Sequence, residues 1–203
     1  MLRVGLTGSI AVGKSFVSTV LAQLGCHVLD ADQTARAVVA PDSPGLSSIV
    51  EAFGREVLQP DGTLDRAKLG RIVFGEETKR SRLNAILHPL IIKAQDEWLR
   101  RCEDKDPQGI GIIEAALMIE TGGYQRFDKL IVVYCRTELQ LERLVKRDGL
   151  TVEAAGQRIA AQMSQEEKKK FADYLIDTSN GFDEARQQAI EVYEKLKALA
   201  IKN

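Results

Sequence analysis

Apolar positions along the chain switch between two periods. Arg3–Thr7 is a short apolar run that closes on glycines. Ser15–Leu24 then repeats apolar residues at helical spacing (Phe16, Val17, Val20, Leu21, Leu24) before Gly25 stops it. Cys26–Leu29 is a second short apolar run. Strand, glycine-rich turn, helix and strand make a βαβ unit, which brings parallel strands. From Asp32 to about Cys102 the pattern is helical only. It predicts helices over Ala35–Val39, Gly45–Phe53, Arg66–Phe74, Glu76–Leu87 and Pro89–Arg101, with breaks at Pro41-Asp42-Ser43-Pro44, Gln59-Pro60-Asp61-Gly62 and Gly75. The α/β alternation then resumes. Ile110–Ile113 and Leu130–Tyr134 are β-branched runs suited to buried parallel strands. Glu138–Arg147 and Thr151–Met163 read as helices, the second capped by Thr151. Tyr174–Ile176 is a last strand and Asp183–Ala200 an amphipathic closing helix. Five strands with flanking helices predict an α/β doubly wound sheet, interrupted by a helical insertion that suits substrate binding.

Composition narrows the class. The 203 residues are 44% apolar and 28% charged, enough for one globular domain with inserted subdomains. A formal charge of −1 gives no electrostatic case for nucleic acid. Lys168–Lys170 follows Glu166 and Glu167 and reads as a solvated helix face. The glycine-interrupted N-terminus does not read as a signal peptide, and Ile110–Ile119 is about half the length a membrane span needs. Cys26, Cys102 and Cys135 lack CxxC spacing, so free thiols are expected, two of them buried. These features imply a cytoplasmic protein acting on small molecules, with no nucleic-acid or membrane partner.

Gly8-Ser9-Ile10-Ala11-Val12-Gly13-Lys14-Ser15 matches GxxxxGK[ST] in full, after a strand and at the start of a helix. The spacing serves the chemistry. Successive backbone N–H groups turn inward around a phosphate, glycines at both ends permit close approach, Lys14 meets the β- and γ-phosphates, and the Ser15 hydroxyl ligates Mg²⁺. The helix start adds its positive dipole end. With no NKxD guanine motif in the chain, the reading is ATP, used by a kinase or an ATPase.

Asp30-Ala31-Asp32-Gln33-Thr34-Ala35-Arg36 follows the second strand. Strand carboxyl ends open onto the ligand crevice of such sheets. Phosphoryl transfer to a hydroxyl wants a carboxylate that orients and deprotonates it. Asp32 is the candidate base, and Arg36, at i+4, suits an acidic group of the acceptor. The alternative is that Asp30 or Asp32 caps the helix.

With these residues in place, the chain resembles the dephospho-CoA kinases, which phosphorylate the ribose 3′-hydroxyl of dephospho-CoA with ATP. The resemblance runs through Gly5–Gly8, Asp30–Arg36, Asp61–Arg66, Leu87-His88-Pro89, Glu114–Glu120, Gln140–Asp148, Arg158–Gln162 and Ala172–Thr178. It implies a three-layer P-loop fold with strand order 2-3-1-4-5 and a core of 1–31, 96–137 and 166–203. It further implies a coenzyme-binding insertion at 32–95 and a lid at 138–165. By the same resemblance Lys14, Asp32 and Arg143 are catalytic. Gly8, Ala11, Val12, Gly13, Ser15, Phe16, Arg147 and Thr178 hold ATP, and Arg36, His88, Leu117 and Glu120 line the acceptor side. Glu114 would act on Mg²⁺ through water, Arg158 and Gln162 would support the lid, and the chain would be a monomer or weak homo-oligomer. Ser9, Ala11 and Val12 depart from the family's usual loop of two glycines and a serine, Phe16 replaces a small hydroxyl residue, and Ala116–Glu120 replaces its P-L-L-F-E stretch. Two rivals stay open: another small-molecule kinase of the nucleoside monophosphate or shikimate kind, and a non-catalytic ATP-binding switch.

Overall fold

The computed structural model describes residues 1–201. They form two compact units, Met1–Asp30 with the chain from Arg101 onward, and Ala31–Arg100.

The first unit is built on β1 (Leu2–Thr7), buried at every position but Arg3 because other elements cover both its faces. Two parallel strands flank it, β3 (Ile110–Glu114) and β4 (Lys129–Tyr134); Val4 stands opposite Ile112 on one side and Lys129 on the other. β2 (His27–Asp30) pairs with the far edge of β3, and β5 (Tyr174–Asp177) with that of β4. The order is β2-β3-β1-β4-β5, as the family resemblance implies. The chain leaves β1 toward β2, while β4 and β5 lie on the opposite side. The loop after β1 therefore opens at a switch point, where open α/β sheets bind ligands.

Two helices supply most of one covering layer. α1 (Lys14–Gln23) contributes Val17, Val20 and Leu21 to the core. The last helix, Phe182–Ala200, contributes Ala189, Val192 and Leu196 against Val4, Leu6, Ile112 and Ile131. Cys26 and Cys135 are buried free thiols in this unit, and burial pushes Cys26 up to about 12.

The second unit carries α2 (Ala31–Ala37), α3 (Pro44–Phe53), α4 (Arg66–Val73) and most of α5 (Glu77–Lys105). Its own core joins Val39, Leu46, Ile49, Val57, Leu64 and Leu69. Ser43 accepts from Leu46 N–H and Asp65 from Lys68 N–H, so both α3 and α4 begin on a side-chain cap. Two expectations need correction here. The two helices expected on either side of His88 are one, with Pro89 inside α5. Proline removes one ladder hydrogen bond, at a cost near 3 kcal/mol. Leu83, Ile86 and Leu87 pack on the second core before it and Leu99 is buried after it, and that burial outweighs the cost. Helix α2 also starts directly at Ala31, placing Asp32 inside its first turn, where the helix dipole favours a carboxylate.

After β4 the first unit continues through α6 (Thr137–Asp148), α7 (Val152–Ala160) and α8 (Gln165–Lys169), with the helix Phe182–Ala200 as α9. Thr151 caps α7 as expected, accepting from Ala154 N–H. The expected solvated face at Lys168–Lys170 is a further correction, since Lys168 is fully buried.

Candidate active site

The loop between β1 and α1 is a cradle set by its glycines. At Gly8 a Cβ would press on the Val133 carbonyl oxygen of β4, so no other residue fits without moving the sheet. Gly13 precedes α1 with φ +91, a left-handed value that glycine adopts without penalty. Lys14 Nζ donates to the Ser9 carbonyl at 3.2 Å, holding the ammonium over the loop.

Thr178, just beyond β5, fastens the far side. Its hydroxyl donates to the Val12 carbonyl at 2.7 Å, and its Oγ1 and carbonyl accept from Arg143 Nη1 and Nη2, each at 2.9 Å. Arg143 is thereby aimed from α6 by a two-pronged grip. Lys14, Ser15, Phe16, Arg143, Lys146, Arg147, Thr178 and Phe182 line a cavity of about 450 Å³ over the loop. Four of these side chains are cationic, which suits a polyphosphate. Arg147 is anchored by Asp148 at 2.8 Å, and Asp148 also accepts from Arg158 at 2.9 Å. Arg147 first and Arg158 second hold the Asp148 carboxyl below its ordinary range.

Aromatic rings close one side of the cavity. Phe16 and Phe182 lie 4.7 Å apart between centroids, tilted by 47°. The Arg186 guanidinium lies 5.8 Å from the Phe16 ring. Phe182 is 66% exposed, an apolar face that solvent alone would not favour and a flat base would cover. Sequence reasoning missed Phe182 and Lys146; the signal for both was position, one at the start of the closing helix and one between Arg143 and Arg147.

The carboxylates separate into distinct environments. Glu114, at the carboxyl end of β3, accepts a hydrogen bond from Ser18, one turn after Ser15 on α1. Ser15 is exposed and lines the cavity. One hydroxyl with a carboxylate nearby suits Mg²⁺, which takes few protein ligands and keeps phosphate and water oxygens. The residues present therefore fit that ion. Glu120, which the resemblance places on the acceptor side, makes structural contacts within the first unit. Its carboxylate receives Lys168 Nζ at 2.8 Å and Met163 N–H at 3.1 Å, while Leu117 beside it is 47% exposed. In the second unit Asp32 and Arg36 stand on α2 and His88 on α5, all three exposed.

A glycine cradle at a strand-to-helix turn, with a lysine, a serine and a gripped arginine around one cationic cavity, defines a P-loop kinase. The chain belongs to the dephospho-CoA kinase family, whose pattern it matches over residues 2–184. It is 42% identical over 195 residues to the dephospho-CoA kinase of Geobacter metallireducens, covering 96% of each chain. A solved structure from Thermus thermophilus superposes with a TM-score of 0.84 at 30% identity over 96% of each chain. The dephospho-CoA kinase of Campylobacter jejuni does so with a TM-score of 0.64 at 29% identity, again over 96% of each chain.

Proposed function

We propose that this kinase transfers the γ-phosphoryl group of ATP to the ribose 3′-hydroxyl of dephospho-CoA, giving coenzyme A and ADP in the last step of coenzyme A biosynthesis. The observation that carries the reading is the cationic cavity over Gly8–Ser15, with Arg143 fixed at its wall by Thr178. The loop amides and Lys14 hold the β- and γ-phosphates before reaction. Asp32 takes the proton from the 3′-hydroxyl as its oxygen attacks the γ-phosphorus. The bond to the β,γ-bridging oxygen breaks, and ADP leaves with that electron pair. Lys14 and Arg143 neutralise charge gathering on the transferred group and the leaving oxygens, a contribution largest where water is excluded. Mg²⁺, held through Ser15 and the phosphates, supplies further charge neutralisation when bound.

The acceptor side is assigned to Arg36, His88, Leu117 and Glu120, with the helical unit as the coenzyme-binding insertion and the α6–α7 region as a lid. Among the described residues no helix is long and apolar enough to cross a membrane, in keeping with a cytoplasmic small-molecule enzyme. A monomer or weak homo-oligomer is the assembly proposed.

The deciding assay incubates purified protein with ATP–Mg²⁺ and dephospho-CoA and detects 3′-phosphorylated product by mass. Phosphorylation of AMP or shikimate with none of dephospho-CoA would replace this reading with another small-molecule kinase. Tight ATP binding without acceptor-dependent ADP release would replace it with a binding switch. Asp32→Asn is expected to retain ATP binding and lose turnover by about 10²-fold or more. Near-normal turnover in that variant removes Asp32 from its role.

A further inference from the structure

Ile10 lies within the phosphate loop, and glutamine side chains take both its backbone polar groups. Its N–H donates to Gln162 Oε1 at 2.8 Å, and its carbonyl accepts from Gln140 Nε2 at 2.8 Å. Gln140 is buried on α6, 1% exposed, and its own Oε1 accepts from Gln165 Nε2 at 2.8 Å. Gln165 Oε1 in turn accepts from Cys135 N–H at 2.9 Å, just past the end of β4. The relay begins on a backbone group that can only donate and ends on one that can only accept. Each amide therefore has a single orientation that satisfies its neighbours. Beside it, the Ser9 hydroxyl donates to the Met163 carbonyl at 3.4 Å.

What the relay restrains is the strained part of the loop. Ala11 carries φ +62, a left-handed conformation that a residue with a Cβ adopts at a cost. This is one of the positions where the chain departs from the family's usual glycine. Without restraint, the peptide between Ile10 and Ala11 would relax and turn amides away from an incoming phosphate. Gln140 holds that peptide plane through the Ile10 carbonyl, and Gln162 holds the preceding one through the Ile10 N–H. Gln140 also stands one turn before Arg143 on α6, so the loop and its arginine are joined through one buried side chain. Neither glutamine lines the nucleotide cavity.

We infer that Gln140 and Gln162 are positioning residues for the nucleotide, holding the tip of the phosphate loop in its anion-accepting shape and in register with Arg143. The inference rests on the kinase reading and deepens it. It is tested with Gln140→Met, Gln140→Glu and Gln162→Met. For each, ADP affinity is measured by calorimetry without acceptor, thermal stability without nucleotide, and kcat and both KM values in the dephospho-CoA assay. Gln140→Met and Gln162→Met should each weaken ADP binding and raise KM for ATP by about tenfold, with KM for the acceptor within about twofold of wild type. Gln140→Glu, which presents a carboxylate to the Ile10 carbonyl, should be worse than Gln140→Met despite its closer size. Gln162 lies in a half-buried loop, so Gln162→Met serves where a Gln140 variant fails to fold. Unchanged ADP affinity in folded Gln140→Met and Gln162→Met, or a loss confined to kcat, overturns the inference. Because ADP binding needs no acceptor, a wild-type protein inactive on dephospho-CoA sinks the functional reading alone.

Discussion

Lys168 shows how one side chain can join three segments. Its ammonium, wholly removed from solvent, donates to the Ala116 carbonyl at 2.6 Å and pairs with Glu120 at 2.8 Å. The Ala116 carbonyl also accepts from Thr7, the last residue of β1. A charge buried this way is stable only while its partner stays. Glu120→Leu strands a buried ammonium and is expected to lower unfolding free energy by about 3–5 kcal/mol. Lys168→Met leaves only a carboxylate that can reach water and should cost clearly less. Urea denaturation of the two variants checks the order, and equal losses would argue against an uncompensated charge as the cause. At the cavity, Phe182→Ala removes an exposed ring facing Phe16. Stacking on a base is worth about 1–3 kcal/mol, so KM for ATP should rise by about tenfold while the acceptor's KM stays near wild type. Steady-state kinetics with each substrate varied in turn decides it.

Short elements here depend on their caps more than on their length. α8 has five residues, too few to persist by propensity, and Ser164 starts it with a capping box. The Ser164 hydroxyl accepts from Glu167 N–H at 3.2 Å, and the Glu167 carboxylate accepts from Ser164 N–H at 3.1 Å. The Ser164 hydroxyl, which also donates to the Glu167 carboxylate at 2.6 Å, and then the Ser164 N–H hold that carboxyl below its ordinary range. Because α8 carries Lys168, Ser164→Ala should cost about 1 kcal/mol and loosen the link to Glu120. The expected reading is a lower melting temperature together with faster amide exchange at Met163. The Ser164-x-x-Glu167 spacing is a helix-start signature that the sequence analysis passed over. The neighbouring lysines drew the reading toward a solvated face, because charge runs carry no information about which member turns inward. Pro89 illustrates the converse. Its local signal split this helix in two in the sequence reading, and tertiary burial along α5 overrode that signal.

At the scale of the whole chain, two hydrophobic cores sit in two compact units, and strand-edge polar contacts finish the sheet unit. Asp173 ties β5 to β4. Its N–H donates to the Leu130 carbonyl, and its carboxylate accepts from Leu130 N–H and from Lys129, both at 2.8 Å. Partial burial pushes this carboxyl upward, but the bonds from Lys129 and Leu130 more than offset it, so the net shift is downward. Its folded-state value thus lies below the unfolded one of about 3.9. Stability from this group is complete above about pH 4 and lost as pH falls through the folded value. Asp173→Asn should therefore flatten the acid limb of stability against pH below about 4 and leave the shape at neutral pH unchanged. Denaturant titrations from pH 3 to 7 read this directly.

The sequence alone determined the phosphate loop, the strand and helix types and the family. Each of these is written in local spacing: glycines five positions apart before Lys14, β-branched runs, and apolar residues at helical period. Tertiary structure decided what local spacing does not carry. It set which lysine of Lys168–Lys170 is buried, which residue aims Arg143, and that Gln140 and Gln162 reach the loop from more than a hundred residues away. Hydrogen bonds between residues distant in sequence leave no periodic trace. Their partners are chosen only when packing brings a donor and an acceptor together away from water.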